Sequence, residues 1–317
     1  MTMNFRRTLL IPAALGAAFA TTPAFAQELP NEGPVPTTAL ITVQSKSNAP
    51  LNTAALKLEV NGHAADIASV TPVGKEGAQV AILIDDGLRS NFGVQLEDVK
   101  HFLASLPPNV QVLVGYMENG TVRSEGGFTT NHQAAADALR LPLAAPGISA
   151  SPYFCLQEFV KHWPGQGNAA RMVLMITNGV DPYNGSTSPL NQDSPYVQAA
   201  QNEAQRAGVA VYSIYYGDSG IRGGLASFSG QSYLQQVADA TGGESFYQGR
   251  ITPPSLAPYL NQFRNAIAES YLVTFNASAN HEKNSTLTSI KIKSEQSGVK
   301  IHAPQAVHPG LVEQAAE

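Results

Sequence analysis

Two adjacent carboxylates, Asp85 and Asp86, close an apolar run in AILIDDGLRS (residues 81–90), and a glycine and a polar turn follow them. Acids placed this way can ligate a hard cation or serve as the acceptor in phosphoryl transfer. A short apolar run ending in acids reads as a buried parallel strand that delivers a polar side chain to the carboxyl edge of an α/β sheet, where ligands bind. What surrounds Asp85 therefore decides what class of protein this is.

Other reactive-looking residues make weaker cases. Gly217-Asp218-Ser219-Gly220 is the tetrapeptide around the nucleophile of trypsin-like proteases, but that fold is a pair of β-barrels. No histidine here stands in the Ala-Ala-His-Cys context that accompanies it, so the tetrapeptide reads as a turn. Gly147-Ile148-Ser149-Ala150-Ser151 lacks the closing glycine of a nucleophile elbow. His63 adjoins a proposed hairpin turn, His101 and His162 fall in helical patterns, and none makes a metal-ligand pair; they read as surface or boundary residues. Cys155 sits in an apolar helical pattern and reads as an inert core thiol.

The loop GVDPYNGSTSPLNQD (179–193) is long and polar and follows a strand at the ligand edge. It is either a tolerant surface connection or a recognition loop offering Tyr183. GDSGIRGGLASFSG (217–230) is a second candidate of the same kind. Tyr212, Tyr215 and Tyr216 alternate imperfectly and read as serving packing at least as much as recognition.

The elements that must position these groups follow from periodicity. AQVAILID, VQVLVGYM, RMVLMIT and VAVYSIYY are strands, and residues 121–126 form a hairpin or edge element. Between them, Leu96, Val99, Leu103 and Leu106 share one helix face, as do Leu156, Phe159, Val160 and Trp163. Ser194-Pro195 caps a helix that runs to Gly208, and further helices are expected over 233–240 and 256–267. Both ends of the chain have period two instead. TALITVQ and LKLEV precede Asn61-Gly62, which favours a two-residue hairpin turn, and SYLVTFN, LTSIKIK and GVKIHA follow residue 269. The two β segments are too short to bury both faces separately; together they could build one small sandwich with the α/β part inserted. Packing on opposite sides of the α/β part would sink that idea.

The first residues carry a compartment signal. Arg6 and Arg7 precede an apolar stretch over 9–20, and Ala24-Phe25-Ala26 is a small-x-small cleavage site. The paired arginines allow a twin-arginine route, but their neighbours fit it poorly and the general route is favoured. No cysteine near the cleavage site supports a lipid anchor, and no later segment is apolar enough to span a bilayer. Removing residues 1–26 takes away two arginines and no acid, moving the net charge from −5 to −7. That balance argues against nucleic acid or an anionic membrane surface as partner.

Several doubly wound families put an acid at this strand end, and the loops separate them. DDGLRSNFG has no G-x-G-x-x-G for a dinucleotide, and a receiver domain belongs with a cytoplasmic phosphorelay. A haloacid-type phosphotransferase needs a second carboxylate where Gly87 stands. Three phrases carry a more specific likeness: DSPYVQAAQNEAQRAGVAVYSIYY (193–216), QSYLQQVADATGGESFYQG (231–249) and SLAPYLNQFRNAIAESYLVTF (255–275). By these the chain resembles the acidobacterial secreted group of von Willebrand factor A (VWFA)-related proteins, over nearly the whole mature length. The resemblance implies a metal-ion-dependent adhesion site built from Asp-x-Ser-x-Ser, a threonine from a later loop, and an Asp-Gly pair after a third strand. Asp85 matches the first aspartate, but the serine places hold Gly87 and Arg89. The threonine place is matched best by Ser149, with Ser151 the alternative, and the third-loop aspartate is replaced by Asn178. Arg89 cannot coordinate a cation, and could lie against Asp85 in its place or point into solvent. Asp86, Ser90 and Asp181 are candidates for a rearranged site.

The expectation is an α/β fold with a doubly wound, mostly parallel sheet and helices on both faces, plus a small β-rich part from the N- and C-terminal segments. The divisions are a signal peptide over 1–26, a linker and β segment over 27–78, the A-type domain over 79–268, a C-terminal β segment over 269–309 and a tail over 310–317. The function expected is an exported, non-enzymatic interaction or adhesion module, periplasmic or extracellular, binding a protein or cell-envelope component. Its recognition edge comprises Asp86, Arg89, Ser90, Ser151, Asn178, Asp181 and Tyr183, with Asp85 and Ser149 a degenerate metal pair and both acids solvated or paired on an inherited scaffold. No cofactor is expected. A magnesium- or calcium-dependent adhesin with a rearranged site is the alternative, and a serine hydrolase using Ser149 or Ser219 the outsider.

Overall fold

Alternation in the N-terminal segment becomes strands β1 (Val35–Ser45), β2 (Leu56–Val60), β3 (His63–Ala65) and β4 (Ile67–Pro72) in the computed structural model. That structure describes residues 33–46, 50–88, 90–143, 151–167, 169–184, 193–217, 225–249, 252–278 and 286–311. Asn61 and Gly62 have φ of 51° and 81°, so both central residues of the β2–β3 turn are left-handed. That is the backbone a two-residue hairpin needs to match strand twist, and the Asn-Gly pair tolerates it.

After the single-turn helix α1 (Val73–Glu76), the chain alternates. Strand β5 (Ala78–Asp85) leads to helix α2 (Leu96–Ala104), and the hairpin β6 (Val110–Glu118)–β7 (Thr121–Arg123) leads to α3 (His132–Asp137) and α4 (Pro152–Lys161). Then come β8 (Ala170–Thr177), α5 (Pro195–Arg206), β9 (Val209–Tyr215), α6 (Leu225–Thr241), β10 (Ser245–Phe246) and α7 (Ala257–Ala268). Strands β11 (Ser270–Ala277), β12 (Thr288–Ser294), β13 (Val299–His302) and β14 (Ala306–Val307) finish the described chain.

The central sheet has the order β7-β6-β5-β8-β9-β10, parallel except for the short edge strand β7. Counted from its own first strand this is 3-2-1-4-5-6, the doubly wound order. All eight residues of β5 are buried, which is why its sequence is continuous rather than alternating. Val80, Ile82 and Ile84 pack on one face with Phe102, Leu103 and Phe263, while Ala81 and Leu83 pack on the other with Tyr153, Leu156 and Val237. Chain leaving β5 goes to α2 on the first face; chain leaving neighbouring β8 goes to α5 on the second. A crevice opens where connections part in this way, and Asp85 stands at it.

The chain's two β segments pair with one another. Sheet β13-β1-β11-β4 and sheet β14-β12-β2-β3 each combine strands from before and after the α/β part, all antiparallel. One apolar cluster, including Ile41, Val43, Leu58, Phe275 and Ile292, is shared between them. The expected helix over 233–240 starts earlier, at Leu225, so residues 225–230 of the second candidate loop are helical; the rest of that loop except Gly217 lies outside the described residues.

Candidate recognition edge

Asp85 is 5% exposed, at the last position of β5. Its Oδ1 accepts the Gly87 N–H at 2.9 Å, a local turn in which an aspartate binds the backbone two residues on. Its Oδ2 accepts the Thr177 hydroxyl at 2.7 Å, from the end of adjacent β8. Thr177 also receives the Gly179 N–H at 3.2 Å. Asp86 is buried as well, and its Oδ1 accepts from Arg140 Nη1 at 2.6 Å and from the Leu143 N–H at 3.0 Å. Arg140 Nη2 reaches Oδ2 at 3.3 Å. Burial works against the charge on Arg140, but the hydrogen bond and attraction of Asp86 outweigh it and leave the guanidinium above its ordinary pKa.

Of the two expected states of these acids, solvated or paired, the second is what stands here: both are buried and bonded, Asp86 to a guanidinium. The guanidinium that the structure puts at the strand end is Arg140, against Asp86, and Arg89 lies outside the described residues. Arg140 is itself held: its guanidinium lies 3.7 Å from the Tyr116 ring centroid, and the Tyr116 hydroxyl donates to its carbonyl at 2.7 Å and accepts its N–H at 2.6 Å.

The other expected site residues divide. Ser149 lies outside the described residues. Ser90 begins a short 3-10 turn after β5. Ser151 is buried and caps α4, accepting the Tyr153 N–H at 3.3 Å. Asn178 turns back on its own backbone, accepting the Val180 N–H at 2.9 Å. Asp181 is buried and takes the Tyr183 N–H at 3.2 Å and the Ser194 hydroxyl at 2.8 Å. Asn184 donates to the Asp193 carbonyl at 2.6 Å, so two bonds clamp the ends of the 179–193 loop together. Tyr183 is 57% exposed beside Phe154, which also meets Tyr196 edge-on. The histidines at 63, 101 and 162 share no cluster with these acids, and no group of three or more metal-binding side chains occurs among the described residues. Cys155 is buried, and burial pushes its thiol up to about 12, as suits an inert core residue.

A hard cation needs several oxygens with lone pairs to spare. Here Asp85 is engaged by Thr177 and Gly87, Asp86 faces a guanidinium, and Asp181 secures a loop. As they stand, these side chains do not form the open oxygen cage that the adhesion-site pattern implies. Thr177, Arg140 and Tyr116 were not among the residues expected from sequence. Thr177 had a signal, since it ends a strand directly before Asn178-Gly179; Arg140, in a stretch without periodicity, had none.

No family model and no curated protein matches the chain. Solved structures do. An aerotolerance-related membrane protein from Bacteroides fragilis is similar at 16% identity and a TM-score of 0.42, over 60% of this chain and 98% of its own. The SpRpn10 VWA domain is similar at 12% identity and 0.41, over 58% and 94%. Proximal thread matrix protein 1 from the mussel byssus, solved with a zinc-occupied MIDAS motif, is similar at 16% identity and 0.40, over 64% and 48%. Likenesses of this size carry nothing about ligands. By its own strand order, antiparallel edge and two helical layers the α/β part is a doubly wound, mostly parallel sheet, as expected from the sequence.

Proposed function

We propose that this chain is an exported, non-enzymatic interaction or adhesion module that binds a protein or cell-envelope component through the carboxyl edge of its A-type sheet, without a strong metal site. In this reading residues 27–78 and 269–309 form a β-sandwich that carries the A-type domain of 79–268, and residues 1–26 direct export. One observation carries the proposal. Five large apolar side chains are exposed among the described residues: Val94, Leu141, Leu143, Tyr183 and Tyr247. Val94, Tyr183 and Tyr247 follow the carboxyl ends of β5, β8 and β10, and Leu141 and Leu143 lie on the segment after α3 that the Leu143 N–H ties to Asp86. Apolar groups gathered at one edge and rimmed by polar ones mark an interaction surface rather than chance exposure. The net charge of −5 supports a partner other than nucleic acid.

The test is a photo-cross-linker placed in turn at positions 143 and 183, and at exposed Asn109 before β6 as a control, in mature protein mixed with solubilised cell envelope. Adducts specific to 143 and 183, formed equally in chelator, with those from 183 lost on Leu143→Asp, are the expected result. Adducts from Asn109 alone, or from no position, would sink the reading. Calorimetric titration of magnesium and calcium covers the metal-dependent alternative, which gains if micromolar binding appears and is lost in Asp85→Ala.

A further inference from the structure

We infer that Arg140 is a fixed internal cation that positions the recognition edge, in the job that the resemblance gives to a dissociable metal ion. Asp86 has a side chain only 3% exposed, and a carboxylate so buried is tolerable only if paired and hydrogen-bonded. Arg140 supplies two of its bonds, and the Leu143 N–H supplies a third. The same guanidinium donates to the Leu141 carbonyl at 2.9 Å, and the Tyr116 hydroxyl clasps both backbone groups of Arg140. Residues 140–143 are thereby strapped across the end of β5 at both ends, at Arg140 and at Leu143, with the Arg140–Leu141 bond bracing the segment between them.

The strap sets what the edge presents. Leu141 lies so close over Gly93 that a Cβ there would come within 2.6 Å of its Cδ2, next to Val94, which is 77% exposed. Leu143, 74% exposed, hangs from the bond between its N–H and Asp86. A metal ion would make this geometry depend on cation supply. A guanidinium, charged at any physiological pH and locked on a ring, keeps it permanently. Asp85 is served separately by Thr177 and Gly87, so neither acid at the strand end depends on a metal ion for a partner. Arg140 acts through Asp86 and is a positioning residue. The purpose of the strap rests on the recognition reading, but its test needs no partner, so the two can fail independently.

Amide hydrogen exchange of the mature chain reads the strap directly at the Arg140 and Leu143 N–H groups. Arg140→Gln is expected to speed both about ten-fold while β5 amides are unchanged, with Arg140→Lys restoring only part of the protection. Millimolar magnesium or calcium is expected to change neither the exchange of the wild type nor its melting temperature, and not to rescue Arg140→Gln. Unchanged exchange in Arg140→Gln would overturn the inference. So would slowing of these amides, or a rise in melting temperature, caused by a divalent cation and lost in Asp85→Asn. Should Arg140→Gln fail to fold, Tyr116→Phe deletes only the clasping hydroxyl; faster exchange at Arg140 then supports the strap, and no change overturns it.

Discussion

Asp85 keeps its place under cover because two donors from different parts of the chain reach it, and only one of them is local. Thr177 is the one to test. Its hydroxyl serves a buried carboxylate and also receives the Gly179 N–H, so Thr177→Val preserves shape and β-branching while removing one bond from each. Bonds to charged groups are worth more than neutral ones, and a loss of about 2–3 kcal/mol is expected in urea unfolding, with Thr177→Ser within about 1 kcal/mol of the wild type. Equal stability of Thr177→Val would mean that Asp85 does not depend on that hydroxyl. The location of Asp85 was legible in the sequence because an apolar run ends there in charge. Its partner was not, because Thr177 lies 92 residues further on and only the parallel register of β5 and β8 brings the strand ends together. Arg140 was hidden for the same reason: a lone arginine 54 residues from Asp86 has no local pattern to announce it.

Elements whose ends are written in local chemistry were read well. Ser194 accepts the N–H groups of Tyr196 and Val197 at 3.2 and 3.3 Å and leads into Pro195, as a cap should. It does more than cap, because its hydroxyl donates to Asp181 and so joins the start of α5 to the loop that presents Tyr183. Ser194→Ala is therefore expected to cost about 2 kcal/mol, the upper end for a cap, and Ser194→Thr to recover most of it. The measurement is equilibrium urea unfolding; a cost of only a few tenths would show that Asp181 finds another donor. The start of α6 was missed for a physical reason. Its first residues, LASFSG, are rich in serine and glycine, which weaken helix propensity, so a local reading starts the helix later than the fold does.

At the scale of the whole molecule, the α/β part is tied to the β strands that flank it. Strands β1 and β11 pair over eight residues from Val35↔Ala277 to Thr42↔Ser270, and Thr42 shares hydrogen bonds with Tyr212 of β9 at 2.6 Å and Ser270 at 2.9 Å. Gly242 packs against Pro304, and the Gln305 N–H donates to the Ala240 carbonyl at 2.9 Å. His302, at the end of β13, belongs to this seam through a hydrogen bond with the Gly243 backbone, while its Nε2 is buried without a partner. Burial holds its imidazole below the ordinary 6.5; Lys300 acts in the same direction, and Glu244, the Gly243 bond and Asp239 oppose. The folded state thus prefers the neutral ring and binds fewer protons than the unfolded chain. Stability from this group is full above pH 6.5 and is lost as pH falls through 6.5 towards the lower folded value. Unfolding free energy measured by urea titration at a series of pH values should decline across that window. His302→Gln, which cannot charge, should flatten the decline there, and an unchanged slope would mean that the seam does not sense protons through His302.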